Sequence, residues 1–508
     1  VDRLSELLRR IQASVGQAFG GQSDLLWLAP LALALRVLAL IYYPSLHHPD
    51  ENYQVFEQAH RLAFGYGVVP WEFDDGIRSY VLPYLFSFIY RLAARFNDSP
   101  DFYIFCSRLF LVTLSTLPVV VAYISQRPRS RIHAVILAFV CAVWFEQIYF
   151  SGRPLTEAVA CDFFLAAACL AVAQPDRPRT LIALGFLMSA AFCLRYHLVL
   201  GLAVLALSAC WRDPIGRGRF LLLGGAAPLA LFGLTDWLTW GYPFASMINS
   251  IHVNLIEDKS SQFGVRDTFW FFHIFFNIWS LATPLLLVFL LCALRRYGAW
   301  ILSALAIIGM HSLIHHKEYR FVYPAFALLA LAAAAGSAEL LSFIRAWLGA
   351  RMRSGAVTLA VAGICGGWAV ISGSLAFAQS YRTFWFQNRS YIESFSYIRR
   401  DAGACGVLLP ESNWGRIGGY AYFHRRIPIY ATSTSPRTMA GFSDTFNVAV
   451  VRRSMSRVLG PQFHATACFE SPGAEDVCVV ERPGGCVPNP RLRSILQLRR
   501  LGDPASRH

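Results

Sequence analysis

The sequence predicts a polytopic α-helical membrane protein with about eleven transmembrane helices and a small C-terminal α/β domain outside the bilayer. Three observations carry this. Of 508 residues, 56% are hydrophobic and 15% charged, and the mean hydropathy of +0.44 is too high for a soluble enzyme. Apolar runs of about 17–25 residues, the length that crosses a bilayer, recur along the chain. The runs stop near residue 377, and the composition beyond is that of a soluble fold.

The spans fall near 25–43, 103–125, 132–150, 155–173, 180–194, 197–211, 219–238, 270–294, 299–314, 321–344 and 355–377. Residues 1–24 form a polar cytoplasmic segment. The first run lacks a small-residue cleavage site and is expected to stay as a span rather than be removed as a signal. Segment 80–96 is apolar but holds Pro83 and Arg91, which leaves it interfacial, re-entrant or spanning. With the N-terminus inside, the inner connections are 126–131, 175–179, 212–219, 295–296 and 345–353, and each is rich in Arg. The net charge of +14 is therefore topological and no sign of a nucleic-acid partner. Only Lys259 and Lys317 are lysines, a bias that fits a GC-rich bacterial gene. The expected location is the bacterial inner membrane with the site facing the periplasm, or the ER membrane with a luminal site in a eukaryote.

The C-terminal domain, 378–508, reads as strands at 406–409, 427–430, 447–451 and 477–480, with helices near 391–402 and 413–422. It carries Cys405, Cys468, Cys478 and Cys486, which allow one or two disulfides in three full pairings. The other eight cysteines lie in or near spans as buried thiols, without metal-binding spacing.

This map gathers the ionisable clusters on the outer face. The loop 44–102 opens with His47-His48-Pro49-Asp50-Glu51 and continues through Glu57, His60, Trp71-Glu72 and Gly76-Ile77-Arg78-Ser79. A lone Asp-Glu after a proline caps a helix. Here a helix over about 50–64 also carries Glu57 and His60 at helical spacing, so one face presents carboxylates to a cleft while Val55, Leu62 and Phe64 are hidden. A second cluster, His315-His316-Lys317-Glu318-Tyr319-Arg320, is basic on the disfavoured side, which points to an anion such as phosphate. Arg195 stands alone in an apolar stretch and needs a cavity or partner. Arg153 and Glu157, four residues apart, are spaced to pair along a helix. Asn249, Asn254, Gln262 and the aromatics of 240–270 suit sugar recognition and interfacial belts alike.

Together these motifs resemble glycosyltransferase family 22, the ER α-mannosyltransferases of dolichol-linked oligosaccharide and glycosylphosphatidylinositol synthesis. The stretch from His47 to Tyr80 resembles that family's first luminal loop. His316-Lys317-Glu318-Tyr319-Arg320-Phe321 resembles its His-Lys-Glu-Glu-Arg-Phe signature, with Tyr319 in place of the second Glu. Asp236-Trp237-Leu238-Thr239-Trp240-Gly241 is a looser match, and Ser151–Glu157 and Arg195 sit where the family has Arg-containing motifs. The similarity runs over about 30–325 and does not reach the C-terminal domain.

The resemblance implies a GT-C fold over residues 25–377. It also implies a polyprenyl-phosphate sugar donor, expected to be mannose-bearing, and transfer with inversion to a lipid-linked or other glycan acceptor. Inversion needs one base opposite the leaving phosphate. Asp50 is assigned that role, with Glu51 as the fallback. Arg195, His316, Lys317 and Arg320 are assigned to the phosphate. His48, Glu57, His60, Trp71, Arg78, Arg153, Glu157 and Asp236 complete the substrate-binding set. No cofactor is required by this scheme, although an Asp-Glu pair can hold a divalent metal. Three rivals remain. A lipid-linked-sugar flippase would show internal repeats. A degenerate assembly subunit would have lost the charged clusters. Another GT-C enzyme, such as an oligosaccharyltransferase or arabinosyltransferase, would share the base.

Overall fold

The computed structural model describes residues 24–173, 177–410, 413–432, 439–498 and 501–502. The expected cytoplasmic segment 1–24 thus lies almost wholly outside the described residues, as do the first two residues of the connection 175–179. The chain is mostly helical. Six segments are long and apolar enough to cross a membrane: Leu25–Tyr42, Pro100–Gln126, Pro214–Trp240, Trp270–Ser312, Tyr319–Leu348 and Ser354–Ala376. Side chains such as Leu222, Leu238, Leu281 and Leu291 stand exposed on these helices, as lipid-facing residues do. The protein is a multi-pass membrane protein.

Tyr319–Leu348 is the central helix: 72% of its apolar window is buried, against 11–44% for the other five. Its run Ala330–Ala335 is fully buried and lets neighbouring backbones close in. The same logic joins Pro178–Leu194 to Pro214–Trp240. A Cβ on Gly185 would lie 2.0 Å from the Leu221 carbonyl oxygen, and one on Gly224 would lie 1.9 Å from that of Ile182. Only glycine admits both approaches.

Several boundaries differ from the sequence reading, each for a local reason. The expected span 132–150 breaks into Arg131–Val143 and Phe145–Phe150 because Trp144 is extended (φ −65°, ψ 124°) and its indole N–H donates to Glu146. Arg195 is non-helical (φ −147°, ψ 85°) and separates Pro178–Leu194 from Val199–Cys210. Thr283–Ser312 is bent at Tyr297 (φ −113°, ψ 19°) beside Arg295-Arg296. Trp279, just before this helix, reaches Glu146, which also binds Tyr319. Arg296 pairs with Glu339, far along Tyr319–Leu348, and His311 returns to line a cavity with Arg320. The chain therefore reverses at Tyr297. Segment 80–96 is a 14-residue helix, Val81–Ala94. At 1.5 Å per residue it is about 21 Å long, short of a bilayer's hydrocarbon thickness. Its buried Leu82, Phe86 and Tyr90 pack with Val55 and Phe56 of the preceding loop.

The C-terminal region holds a five-stranded mixed sheet among the described residues: β1 (Val407–Pro410), β2 (Ile429–Thr432), β3 (Val448–Arg452), β4 (His464–Phe469) and β5 (Val477–Glu481), in the order β2-β1-β3-β5-β4. β1 pairs parallel with β2 and β3, and β5 pairs antiparallel with β3 and β4. One face packs Val407, Leu409, Val448 and Val450 against Tyr391, Phe395 and Ile398 of helix Arg389–Arg400. The other packs Leu408, Ala449 and Val451 against Phe446, Leu459 and Phe463. Both faces are covered, so β1 and β3 read as unbroken apolar runs. Disulfides join Cys405 to Cys486 and Cys468 to Cys478. β4 was not foreseen: its side chains are largely exposed.

This region grips the 44–102 loop. Tyr53 Oη donates to the Trp414 carbonyl at 2.6 Å, and Tyr103 Oη, just past the loop on helix Pro100–Leu114, donates to that of Ala421 at 2.5 Å. The Leu46 N–H donates to the Gln387 carbonyl at 3.0 Å and the Trp71 N–H to that of Leu501 at 3.1 Å. The loop is thus held between the helices and the sheet.

Candidate active site

After the irregular residues 43–48 the chain turns at Pro49 into a π-helix, Glu51–Phe56, before an α-helix, Glu57–Phe64. The expected single helix over 50–64 is therefore wound in two ways. A π-turn places one extra residue per turn and swings successive side chains off a common face. That is why the carboxylates of this segment do not share one cleft.

Asp50 faces a cavity of about 260 Å3 that also takes in His48, Trp71, Glu72, Arg78, Glu157, Arg195, His316, Glu318 and Arg320. It makes no cap hydrogen bond. Instead Arg320 Nη2 donates to Asp50 Oδ2 at 2.7 Å, and His48 Nδ1 lies 3.2 Å from Oδ1. Burial opposes the Asp50 charge, but Arg320 and then His48 outweigh it and hold the carboxyl well below its ordinary range. Burial and Arg320 likewise oppose the His48 imidazolium, yet Asp50 and Glu318 raise its pKa.

Arg320 is the hub. It bonds Glu318 through Nε, Asp50 through Nη2, and lies 3.6 Å from Glu157 through Nη1. Glu157 also pairs with Arg195 at 3.3 Å. The spacing of Arg153 and Glu157 had suggested a helical pair. That expectation fails because the helix starts at Thr156, after Arg153 has already turned to Glu51. Glu318 is held by His316 at 3.0 Å and by Arg320, and lies 3.6 Å from His48. Burial would raise its pKa, but Arg320 and His48 keep it far below the usual range.

Two arginines in this cavity are incompletely paired. Arg78 and Arg195 each bury an Nε that has no hydrogen-bond partner among the described residues. Arg195 rests on the Phe321 ring, 5.0 Å from its centroid. Ser250, Asn254, His197 and His311 line the same cavity.

Most of the remaining expected site residues lie elsewhere. Glu51 is fully buried, accepts from the His47 backbone N–H and pairs with Arg153 at 3.1 Å. Arg153 also donates to Ser45 Oγ at 2.7 Å and covers the Tyr149 ring. Glu57 turns to the sheet region, accepting N–H bonds from Val68 and Ala421, each at 2.8 Å. Burial lifts its pKa to about 7. His60 Nε2 meets His424 Nδ1 at 2.9 Å, and burial, with the His424 charge, lowers it to about 3. Asp236 caps the next helix, accepting from the Ser246 N–H at 2.9 Å and Ser246 Oγ at 2.6 Å. Lys317 turns from the cavity to the carbonyls of Arg266 and Ile314. Trp71 lines the cavity, but Lys259 sits 4.0 Å over its ring and Phe263 stacks at 5.8 Å.

Tyr319, the departure from the signature, donates its hydroxyl to buried Glu146, which also accepts from Trp144 Nε1 at 2.7 Å. A carboxylate at that point is therefore supplied from another helix. Sequence reasoning passed over Glu72, Glu318, His197 and His311. The first two sat inside motifs already singled out, and the histidines carried a signal as ionisable groups in apolar stretches.

The arrangement is a half-buried carboxylate flanked by an arginine and a histidine at one end of a helical bundle, in a fold with known counterparts. The family of Alg9-like mannosyltransferases matches residues 27–401. The chain belongs to this family. It is 25% identical over 329 residues to GPI alpha-1,2-mannosyltransferase 3 of Bos taurus, covering 63% of this chain and 60% of that protein. It is 28% identical over 332 residues to GPI mannosyltransferase 3 of Yarrowia lipolytica, covering 62% and 63%. The chain thus spans about three fifths of the length of these curated relatives. Among solved structures, ArnT from Cupriavidus metallidurans bound to undecaprenyl phosphate superposes with a TM-score of 0.56 at 12% identity, covering 93% of this chain and 100% of that one. This likeness establishes the GT-C fold.

Proposed function

We propose that the protein moves a mannosyl group from a polyprenyl-phosphate donor to a glycan or glycolipid acceptor, with inversion, in the cavity around Asp50. The observation that carries this reading is the pairing in one cavity of an ionised carboxylate, Asp50, with two arginines, Arg78 and Arg195, whose Nε atoms are buried without partners. Buried N–H donors without partners are costly, and an anion satisfies them. Family membership supports mannose as the sugar. The undecaprenyl phosphate held by the ArnT fold neighbour supports a polyprenyl phosphate as its carrier.

In this reading Asp50 takes the proton of the acceptor hydroxyl as that oxygen attacks the anomeric carbon. The phosphate leaves from the opposite face, its charge met by Arg78 and Arg195. Arg320 holds Asp50 and Glu318 in place, and His316 acts through Glu318. Lys317, Glu51, Arg153, Glu57, His60 and Asp236 support the fold of the site. The scheme uses no metal. The site faces the periplasm, or the ER lumen in a eukaryote. The chain crosses the bilayer about eleven times, and residues 378–508 form a domain on the side of the site, where they contribute to acceptor binding.

The test is a transfer assay on purified protein in nanodiscs, with radiolabelled polyprenyl-phosphate-mannose and a membrane glycolipid extract. Wild type should transfer the label, and Asp50→Asn should fold but lose activity by about 10²–10⁴-fold. Equal transfer by both proteins would remove Asp50 from the reaction. Transfer from another polyprenyl-phosphate sugar only would overturn the choice of mannose.

A further inference from the structure

Glu72 is a cavity carboxylate that the scheme above leaves idle. It sits on the short helix Trp71–Asp74, which starts at Pro70, whose backbone pairs with Leu501. Its side chain lines the same cavity as Asp50. The two carboxylates are held in opposite ways. Asp50 has a basic side chain at each oxygen, the Arg320 guanidinium at Oδ2 and the His48 imidazole at Oδ1. Glu72 has one side-chain partner, the neutral amide of Gln54, whose Nε2 donates to Oε1 at 3.2 Å. Among the described residues no cation lies within ion-pair distance of it. Its charged neighbours are Asp50 and Arg78. The cations of the facing segments are engaged elsewhere: Lys259 with Asp75 and the Trp71 ring, His316 and Arg320 with Glu318. Burial, then the Asp50 charge, raise the Glu72 carboxyl to about 7. Two carboxyls in one site whose environments push them apart divide acid and base roles.

We propose that Glu72 is the general acid of the transfer, protonating the departing phosphate oxygen while Asp50 accepts the acceptor's proton. The inference rests on the transfer reading above. The bond from the anomeric carbon to the phosphate oxygen breaks and its electron pair stays on that oxygen, which receives the Glu72 proton. The bond from the anomeric carbon to the acceptor oxygen forms, and the acceptor proton moves to Asp50. The lipid phosphate leaves as a monoanion, and the net charge is unchanged. Asp50 then loses its proton and Glu72 regains one through solvent, which resets the pair.

The test compares wild type, Glu72→Gln and Glu72→Asp in nanodiscs across pH 5–9. For wild type, kcat/KM should fall as pH rises through about 7, where Glu72 loses its proton. Glu72→Gln should be slower by on the order of 10²-fold and lack that alkaline limb. Glu72→Asp should keep a limb at a shifted pH, which a purely structural role would not produce. Undecaprenyl phosphate binding is measured in parallel on the same proteins. Wild type should bind it less well at high pH than Glu72→Gln does, relative to each protein's affinity at low pH. The titration of the lipid itself is common to both and cancels. An alkaline limb unchanged in Glu72→Gln, or identical pH dependence of lipid-phosphate binding in both proteins, would overturn the proposal. If wild type transfers no mannose yet its lipid-phosphate binding shows the Glu72-dependent pH response, the sugar assignment falls, the Glu72 proton is placed beside the lipid phosphate, and the acid role is then read from the alkaline limb with the polyprenyl-phosphate sugar that is transferred; the absence of that limb there would overturn it.

Discussion

Arg320 Nη2 donates to Asp50 Oδ2 at 2.7 Å across 270 residues of sequence, and this bond ties the residue just before the loop's π-turned segment to the central helix. Arg320 is 5% exposed and also serves Glu318 and Glu157. Its removal leaves buried Glu157 and half-buried Asp50 and Glu318 facing one another without their shared cation. Arg320→Met is expected to cost about 3–5 kcal/mol of stability, since a buried charge network stripped of its cation is left uncompensated. Arg320→Lys should recover part of this, because one ammonium cannot fork to three carboxylates. Thermal unfolding in detergent measures both, and a melting temperature unchanged by Arg320→Met would refute the hub.

Glu51 and Arg153 make the contrasting case of a buried pair outside the cavity, with N–O at 3.1 Å and both side chains under 7% exposed. Glu51→Gln or Arg153→Met alone is expected to destabilise the protein by about 3–5 kcal/mol, because each strands a charge. The double substitution Glu51→Leu with Arg153→Met should be much milder than the sum, as an apolar pair leaves nothing uncompensated. A double-mutant cycle on unfolding measures the coupling. Additive losses would mean that the two residues act independently.

Much of the architecture was legible because it follows from patterns with one physical cause. Apolar runs set the helices, and the burial of β1 and β3 on both faces gave unbroken apolar segments. β4 was invisible because an exposed edge strand of composition His-Ala-Thr-Ala-Cys-Phe carries no alternation. The site was half legible. Asp50, His48, Arg78, Glu157, Arg195 and Arg320 meet in one cavity, as expected from clusters at one end of the helices. The destinations of Glu51, Glu57 and His60 were not readable, because the π-turn at Glu51–Phe56 breaks the 3.6-residue spacing on which their shared face was inferred. Lys317 shares a motif with Arg320, but it precedes the helix that begins at Tyr319 and turns to loop carbonyls instead.

The two disulfides should contribute unequally. Cys405–Cys486 closes a loop of sequence separation 81, whereas Cys468–Cys478 closes one of 10. In the chain-entropy account the longer loop is worth about 2 kcal/mol more, from 1.5RT times the logarithm of the ratio. Replacing Cys405 and Cys486 by Ser is therefore expected to weaken the C-terminal region more than replacing Cys468 and Cys478. Unfolding of each double-Ser variant, followed by urea titration, measures the difference, and non-reducing peptide mapping checks the pairing. A larger loss from the short loop would mean that local strand pairing dominates over chain entropy.

Glu57 and His60 give the grip between loop and sheet two opposed pH responses. The Glu57 carboxyl sits at about 7 in the folded protein against an ordinary 4.5. Below 4.5 it is protonated in both states. From 4.5 to 7 the unfolded chain ionises first and binds fewer protons, so this residue's stabilisation is lost as pH rises. His60 sits at about 3 against 6.5. Above 6.5 it is neutral in both states, and as pH falls from 6.5 towards 3 the unfolded chain takes up the proton, so stability is lost on acidification. Each contributes a slope of about 1.4 kcal/mol per pH unit, of opposite sign, where its two states differ in protonation. Between 4.5 and 6.5 the slopes cancel. Relative to wild type, His60→Asn should therefore lose stability more steeply as pH rises through that window, and Glu57→Gln should gain it. Groups elsewhere titrate alike in all three proteins and drop out of the comparison. Melting temperatures from pH 4 to 8 measure it, and parallel curves for wild type and both variants would show that neither residue's burial governs the grip.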